Sequence, residues 1–194
     1  MRRLPPLATL LSPLLPTLAV AVMLAFVPSP APAAVTILSA DNGAGGSSTN
    51  ILTLANVGFT GTDRLLVVYV GSASASALPT SVTKGSSSLT LLASVDIGVT
   101  QGTLWYLVNP STAPETLTAN WAATETSALA MSTLYLTGVH QSTPFGTPAT
   151  GANGSRTAVS GQTVSGSAGD LVIDVVSWFS AGGATITPDA GVTQ

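Results

Sequence analysis

In this chain apolar residues fall in short runs or alternate with polar ones at a period of two, and no stretch sustains the spacing of an amphipathic helix. The clearest case is 116–121 (TLTANW), with Leu117, Ala119 and Trp121 on one face and Thr116, Thr118 and Asn120 on the other. That is the pattern of a half-buried antiparallel strand, one face on a core and one in water. Residues 64–70 (RLLVVYV) and 170–179 (DLVIDVVSWF) are instead apolar on both faces. Such runs mark strands covered on each side or held in the centre of a sandwich. Between them lies 102–110 (GTLWYLVNP), an apolar strand stopped by an Asn-Pro turn. Its adjacent rings, Trp105 and Tyr106, must point to opposite faces, one into the core and the other outward or toward a groove.

Weaker strand signals fall at 35–40, 50–54, 127–137 and 156–164, and 81–92 reads as a hairpin turning near Lys84 and Gly85. Loop residues cluster at 41–48, 58–62, around Gly98 and at 138–146, while the small residues at 72–77 read as a turn. Residues 62–70 and 169–176 echo each other, each a turn with Asp entering an apolar strand; two central strands of one sandwich need the same start signal, and the alternative, an internal duplication, has too short a match for a repeat unit. About nine strands at spacings near ten residues, with no helix between them, predict an all-β, antiparallel β-sandwich of the jelly-roll type.

The N-terminal segment does not fit that pattern. Arg2 and Arg3 precede an unbroken apolar run over 18–27, and 31–33 (APA) is a small-residue cleavage site. These features predict a signal helix over 1–33, leaving a β-sandwich domain over 34–194. A retained membrane anchor is the rival reading, because 4–27 is long enough to span a bilayer. Pro5, Pro6, Pro13 and Pro16 interrupt it. Export does not bring disulfides here, since the chain has no cysteine, and the fold must rest on its core.

Only 7% of the residues are charged, against about 25% in an average globular protein. Beyond the signal segment three basic residues, Arg64, Lys84 and Arg156, face eight acidic ones, which excludes a basic patch for nucleic acid. Membrane contact is expected only through the signal segment if it is uncleaved. Thr and Ser take the outward strand positions that Lys and Glu usually fill.

The inventory for catalysis is small. His140 is the only histidine, it lies in a turn beside Gln141, Ser142 and Thr143, and no G-x-S-x-G elbow occurs. It reads as a loop residue capping backbone groups, and no catalytic residue or zinc site is assigned. Glu115 and Glu125, the only glutamates, read as solvated loop residues. Asp174 shares a strand face with Val172, Val176 and Trp178, and a carboxylate beside a tryptophan can hold a sugar by hydrogen bonding and stacking. The alternative is an outward-facing Asp on a partly covered sheet. Candidate ligand-binding residues are thus Trp105, Tyr106, Asp174 and Trp178. No cofactor is expected; calcium could find oxygen ligands at Asp41, Asp63, Asp96 or Asp189, without an EF-hand-type loop. Residues 153–155 (NGS) match a glycosylation acceptor and read first as a turn.

At 105–110 (WYLVNP) and 138–145 (GVHQSTPF) the chain resembles a widespread domain of uncharacterised exported bacterial and phage-associated proteins, similar to concanavalin A-like jelly rolls. The resemblance runs from residue 50 to 189, through 82–85 (VTKG) and 168–172 (AGDLV). Where the family commonly has an aspartate this chain has His140, and the family has no agreed active site to carry over. The signal segment, the Thr- and Ser-rich strands and the empty catalytic inventory together point to a secreted or cell-surface, non-catalytic module for adhesion or for binding a polysaccharide or cell-surface glycan. Two alternatives stand beside it, a polysaccharide-degrading enzyme of jelly-roll type using Glu115, Glu125 or Asp174, and a purely structural surface or matrix domain. Such domains usually continue into a closing strand, which implies that the sandwich lacks its last strand. A missing strand leaves a sheet edge open, so residues 34–194 produced alone are expected to self-associate on size-exclusion chromatography. A monomer that unfolds cooperatively is the contrary result.

Overall fold

In a computed structural model, which describes residues 34–73, 77–98, 100–151, 163–166 and 169–175, the alternating segments form strands and no helix occurs among the described residues. The strands are β1 (Thr36–Gly46), β2 (Thr49–Val57), β3 (Leu65–Ala73), β4 (Ser81–Lys84), β5 (Ser87–Ser88), β6 (Thr90–Asp96), β7 (Thr100–Val108), β8 (Glu115–Glu125) and β9 (Leu129–Thr137). They make a five-stranded sheet of order β1-β9-β3-β7-β6 and a four-stranded sheet of order β2-β8-β4-β5. Every pairing is antiparallel.

One apolar cluster draws on both sheets. Leu66, Val68 and Val70 of β3, Trp105 of β7 and Met131 and Tyr135 of β9 meet Leu52 of β2, Val82 of β4 and Leu117, Ala119 and Trp121 of β8. The architecture is therefore β-sandwich-like, and the alternation in β8 reads correctly, its Leu117/Ala119/Trp121 face being the buried one. Phe59, in the β2–β3 connection, packs on Tyr135 with ring centroids 4.4 Å apart.

The unbroken apolar run of β3 has its reason in a second cluster on the other side of the five-stranded sheet. Leu65 and Val67 of β3 join Leu136 and Val139 there, and Phe145 and Ile173 pack over them from the chain beyond β9. With β9 on one side and β7 on the other, β3 is enclosed in all four directions, which is why no polar position interrupts it from Leu65 to Val70.

Three strand expectations change. The loop residues of 41–48 are largely strand, because β9 offers a partner as far as Gly46↔Leu129, and β1 follows it by bulging between Ile37 and Ser39 and between Asn42 and Ala44. The hairpin over 81–92 does turn at Gly85, whose φ of 55° suits glycine. Its second arm pairs with β4 at Ser87 and Ser88, and the Leu89 N–H donates to the Val82 carbonyl at 2.8 Å, before the chain continues as β6 in the opposite sheet. Leu89 is buried in the shared core, and that burial carries the chain from one layer to the other. Residues 170–175 belong to no strand. Both edges of β3 are already paired, and of the apolar groups of this segment Ile173 packs on the sheet's outer cluster while Leu171, Val172 and Val175 are exposed. The signal segment 1–33 and most of the expected strand over 156–164 lie outside the described residues.

Truncating a side chain between the layers should cost far more than truncating one outside. Leu117→Ala, at a fully buried position, is expected to lose about 2–5 kcal/mol in urea denaturation. Ile51→Thr, at a position 47% exposed, should stay within about 0.5 kcal/mol. Equal costs would mean that the assigned faces are wrong.

Candidate functional site

Trp105 and Tyr106 divide between the two faces of β7 as adjacent strand residues must. Trp105 is turned into the shared core and is 7% exposed. Its indole N–H donates to Thr103 Oγ1 at 2.9 Å, and the Thr103 hydroxyl donates to the Val70 carbonyl at 3.1 Å. The ring is thereby a structural anchor with its polar atom satisfied. Tyr106 lies in the outer cluster, half-buried, with Phe145 edge-on at 5.0 Å and 70°.

Phe145 comes from the connection after β9. That connection leaves the sheet at Gly138, with φ of 71°, and the Val139 N–H donates to the Asp63 carbonyl at 3.0 Å. Ile173 reaches the same outer cluster, whereas its neighbours Val172 and Asp174 are exposed. Asp174 is exposed and lies in no strand of the described residues. Tyr106 and the segment bearing Asp174 meet one apolar cluster, Trp105 lies on the opposite face of the sheet, and Trp178 falls outside the described residues.

His140 serves the loop. Its Nδ1 accepts the Thr143 N–H at 3.1 Å and lies 2.9 Å from Thr143 Oγ1 and 3.3 Å from Ser142 Oγ. An accepting Nδ1 places the proton of the neutral ring on Nε2. Beside it, Gln141 Nε2 donates to the Val139 carbonyl at 2.8 Å and the Arg64 carbonyl at 3.3 Å, tying the loop to the start of β3.

The two glutamates are not loop residues. β8 is paired with β2 from Val57↔Glu115 to Thr49↔Glu125, so both belong to the strand, one at each end. Ten steps of about 3.3 Å put them roughly 33 Å apart along it. Glu125 is 1% exposed. Glu115 Oε2 takes a 2.6 Å ion pair from Lys84 Nζ, whose side chain is fully buried.

Lys84 is the charged group that reading the sequence missed, although a signal was present. It follows Val82 by two positions in β4, so an inward Val82 requires an inward Lys84. Besides Glu115, its ammonium donates to the carbonyls of Ser111 and Ala113, each at 3.0 Å. All three ammonium protons therefore have acceptors, as a buried amine requires.

Of the calcium candidates, Asp96 shapes the β6–β7 turn. Its Oδ1 accepts the Gly98 N–H at 2.7 Å and its Oδ2 the Gln101 amide at 3.0 Å. A depression of roughly 230 Å³ beside it is lined by Ser94, Val95, Asp96, Thr150 and Gly151. Asp63 occupies a left-handed turn position, with φ of 51°. The side chain of Asp41 and the whole of Asp189 lie outside the described residues. No three His, Cys, Asp or Glu residues group as metal ligands among the described residues.

Removing one member of a buried ion pair strands the rest. Lys84→Ala is expected to cost about 3–5 kcal/mol in urea denaturation. Glu115→Gln should cost less, about 0.5–1.5 kcal/mol, because Glu115 keeps water access at 31% exposure. A small effect of Lys84→Ala would show that the ammonium does not lock this turn. No family model, curated protein or solved structure matches the chain.

Proposed function

We propose that this chain is an exported, non-catalytic β-sandwich module of the jelly-roll type, of the concanavalin A-like kind, that acts at the cell surface by adhesion or glycan binding. Support for the jelly-roll type comes from nested pairing. β1 lies against β9, β2 against β8, β3 against β7 and β4 against β5, the arrangement made when one long hairpin folds over into two layers. β6 is then an added edge strand.

The observation that carries the binding reading is the makeup of the exposed strand faces, which present Thr, Ser and Asn where a solvated sheet ordinarily presents charge. On the outer face of the five-stranded sheet, Tyr106 beside Phe145 and the exposed Asp174 are the aromatic and acidic groups a sugar would meet. The enzyme reading has less support. Carboxylates for glycoside hydrolysis stand about 5–10 Å apart, whereas Glu115 and Glu125 close opposite ends of β8 and Glu115 is paired with Lys84.

The test is a glycan array and polysaccharide pull-down with the purified chain. Retention on at least one glycan, without release of reducing sugar from it, is the expected result. Absence of binding to every sugar would leave a structural role, and release of reducing sugar would restore the enzyme.

A further inference from the structure

We infer that His140 is a pH-sensitive latch on the loop after β9: its neutral ring closes that loop, and protonation loosens the hold of the loop on the rings of Phe145 and Tyr106. The loop, residues 138–145, is fastened in three ways. Its start is held by the Val139 N–H on the Asp63 carbonyl and by Gln141 Nε2 on the carbonyls of Val139 and Arg64. Its end is held by Phe145, edge-on to Tyr106 at 5.0 Å in the outer cluster. Between these, the turn over 140–143 is closed by His140 Nδ1, which accepts the Thr143 N–H at 3.1 Å.

Of these fastenings only the middle one depends on a proton. Backbone carbonyls, the Gln141 amide and the two rings keep their roles across the neutral range, whereas an imidazole changes charge between about pH 5 and 8. A neutral imidazole offers one nitrogen as an acceptor; an imidazolium carries a proton on both and accepts nothing. The neighbours of Nδ1 respond differently to that change. The hydroxyls of Thr143 and Ser142, 2.9 and 3.3 Å away, can rotate and accept the new proton. The Thr143 N–H cannot reverse, because it is a donor fixed in the backbone and would then face another donor. The turn is therefore closed while the ring is neutral and loses its closing bond as the pH falls through the histidine range. Only Pro144 separates Thr143 from Phe145, so a loosened turn acts directly on the aromatic pair. The latch concerns the rings themselves and holds whether or not a sugar binds them.

The charged groups around the loop do not replace this bond. The entry to β3 brings Asp63 and Arg64, which meet the loop through their carbonyls, and the Arg64 guanidinium is turned to Gly61, Asn109 and Pro110. From β7 comes Tyr106, the ring beside Phe145. Asp170 and Asp174 lie on either side of Ile173, on the segment that shares the outer cluster, and both are exposed. Among the described residues His140 makes no ion pair, so no carboxylate holds an imidazolium where the neutral ring stood. His140 is also the only histidine of the chain, which gives a transition in this range a single side chain to come from.

The experiment is an NMR titration of the purified chain between about pH 5.5 and 8, a window in which carboxylates as a class stay ionised. It follows the His140 ring, the Thr143 amide and the cross-peaks between the Tyr106 and Phe145 rings. As the His140 ring takes up its proton, exchange of the Thr143 amide, corrected for its intrinsic pH dependence, should rise about two- to tenfold, the worth of one hydrogen bond. The ring cross-peaks should weaken with the same midpoint. His140→Asn keeps an acceptor oxygen where Nδ1 stands and takes up no proton, so it should remain closed throughout. His140→Ala has no acceptor and should behave at every pH as the unaltered chain does at the acid end, with melting temperatures reporting that both variants fold. Cross-peaks that stay constant while His140 titrates would overturn the latch. So would a transition that persists in His140→Asn, or a His140→Ala variant as closed as the unaltered chain at the alkaline end.

Discussion

The structure depends on a buried ammonium. Lys84, at the end of β4 in the four-stranded sheet, holds the Ser111 and Ala113 carbonyls and the Glu115 carboxylate. From the other sheet Arg64, at the entry to β3, donates to the Pro110 and Gly61 carbonyls and to Asn109 Oδ1, while its own carbonyl accepts the Asn109 N–H. The chain over 109–115 is the crossing from β7 to β8, from one layer to the other. One cation from each layer thus grips the connection between layers. Two glycines let the backbone come this close. A Cβ on Gly58 would stand 2.8 Å from the Pro114 nitrogen, and one on Gly85 would stand 2.7 Å from Glu115 Oε1. In a chain without disulfides, this polar knot supplements the core where the two sheets must be registered.

The enclosure of β3 follows from the same economy of charge. A five-stranded sheet with a solvated outer face would alternate, and β8 in the four-stranded sheet does. β3 does not, because the chain after β9 folds back over the sheet with Val139, Phe145 and Ile173. That covering sets the environment of Tyr106, which would otherwise be an open ring on a solvated face and is instead half-buried beside Phe145.

Periodicity made much of this legible. The buried face of β8, the two-sided apolar run of β3, the divergence of Trp105 and Tyr106, and the capping role of His140 all follow from spacing and residue type. What escaped has a common physical cause, which is that it depends on a partner strand distant in sequence. The strand through 41–46 exists because β9 is long enough to pair it, despite its turn-forming residues. The arm after Gly85 divides because Leu89 finds its pocket between the layers. Residues 170–175 look like β3 in sequence, yet only Ile173 meets the outer cluster while Leu171, Val172 and Val175 stay exposed, because an apolar run alone does not say that a partner strand exists to pair it. Lys84 was hidden for a simpler reason. A lysine beside a turn glycine is ordinarily solvated, and only the inward Val82 two residues earlier argues against that.

With its only lysine, Lys84, buried, the sandwich lacks the usual means of guarding sheet edges, an exposed lysine. Its edges are guarded by geometry. The central pairings of β3 with β7 and β9 run without a register shift. The edge strands do not: β1 is interrupted twice against β9, β2 twice against β8, and β6 once against β7, while β5 is only two residues long. Bulges increase local twist and spoil the straight row of donors and acceptors that another strand would need. Irregularity is thus confined to the edges and regularity kept at the centre.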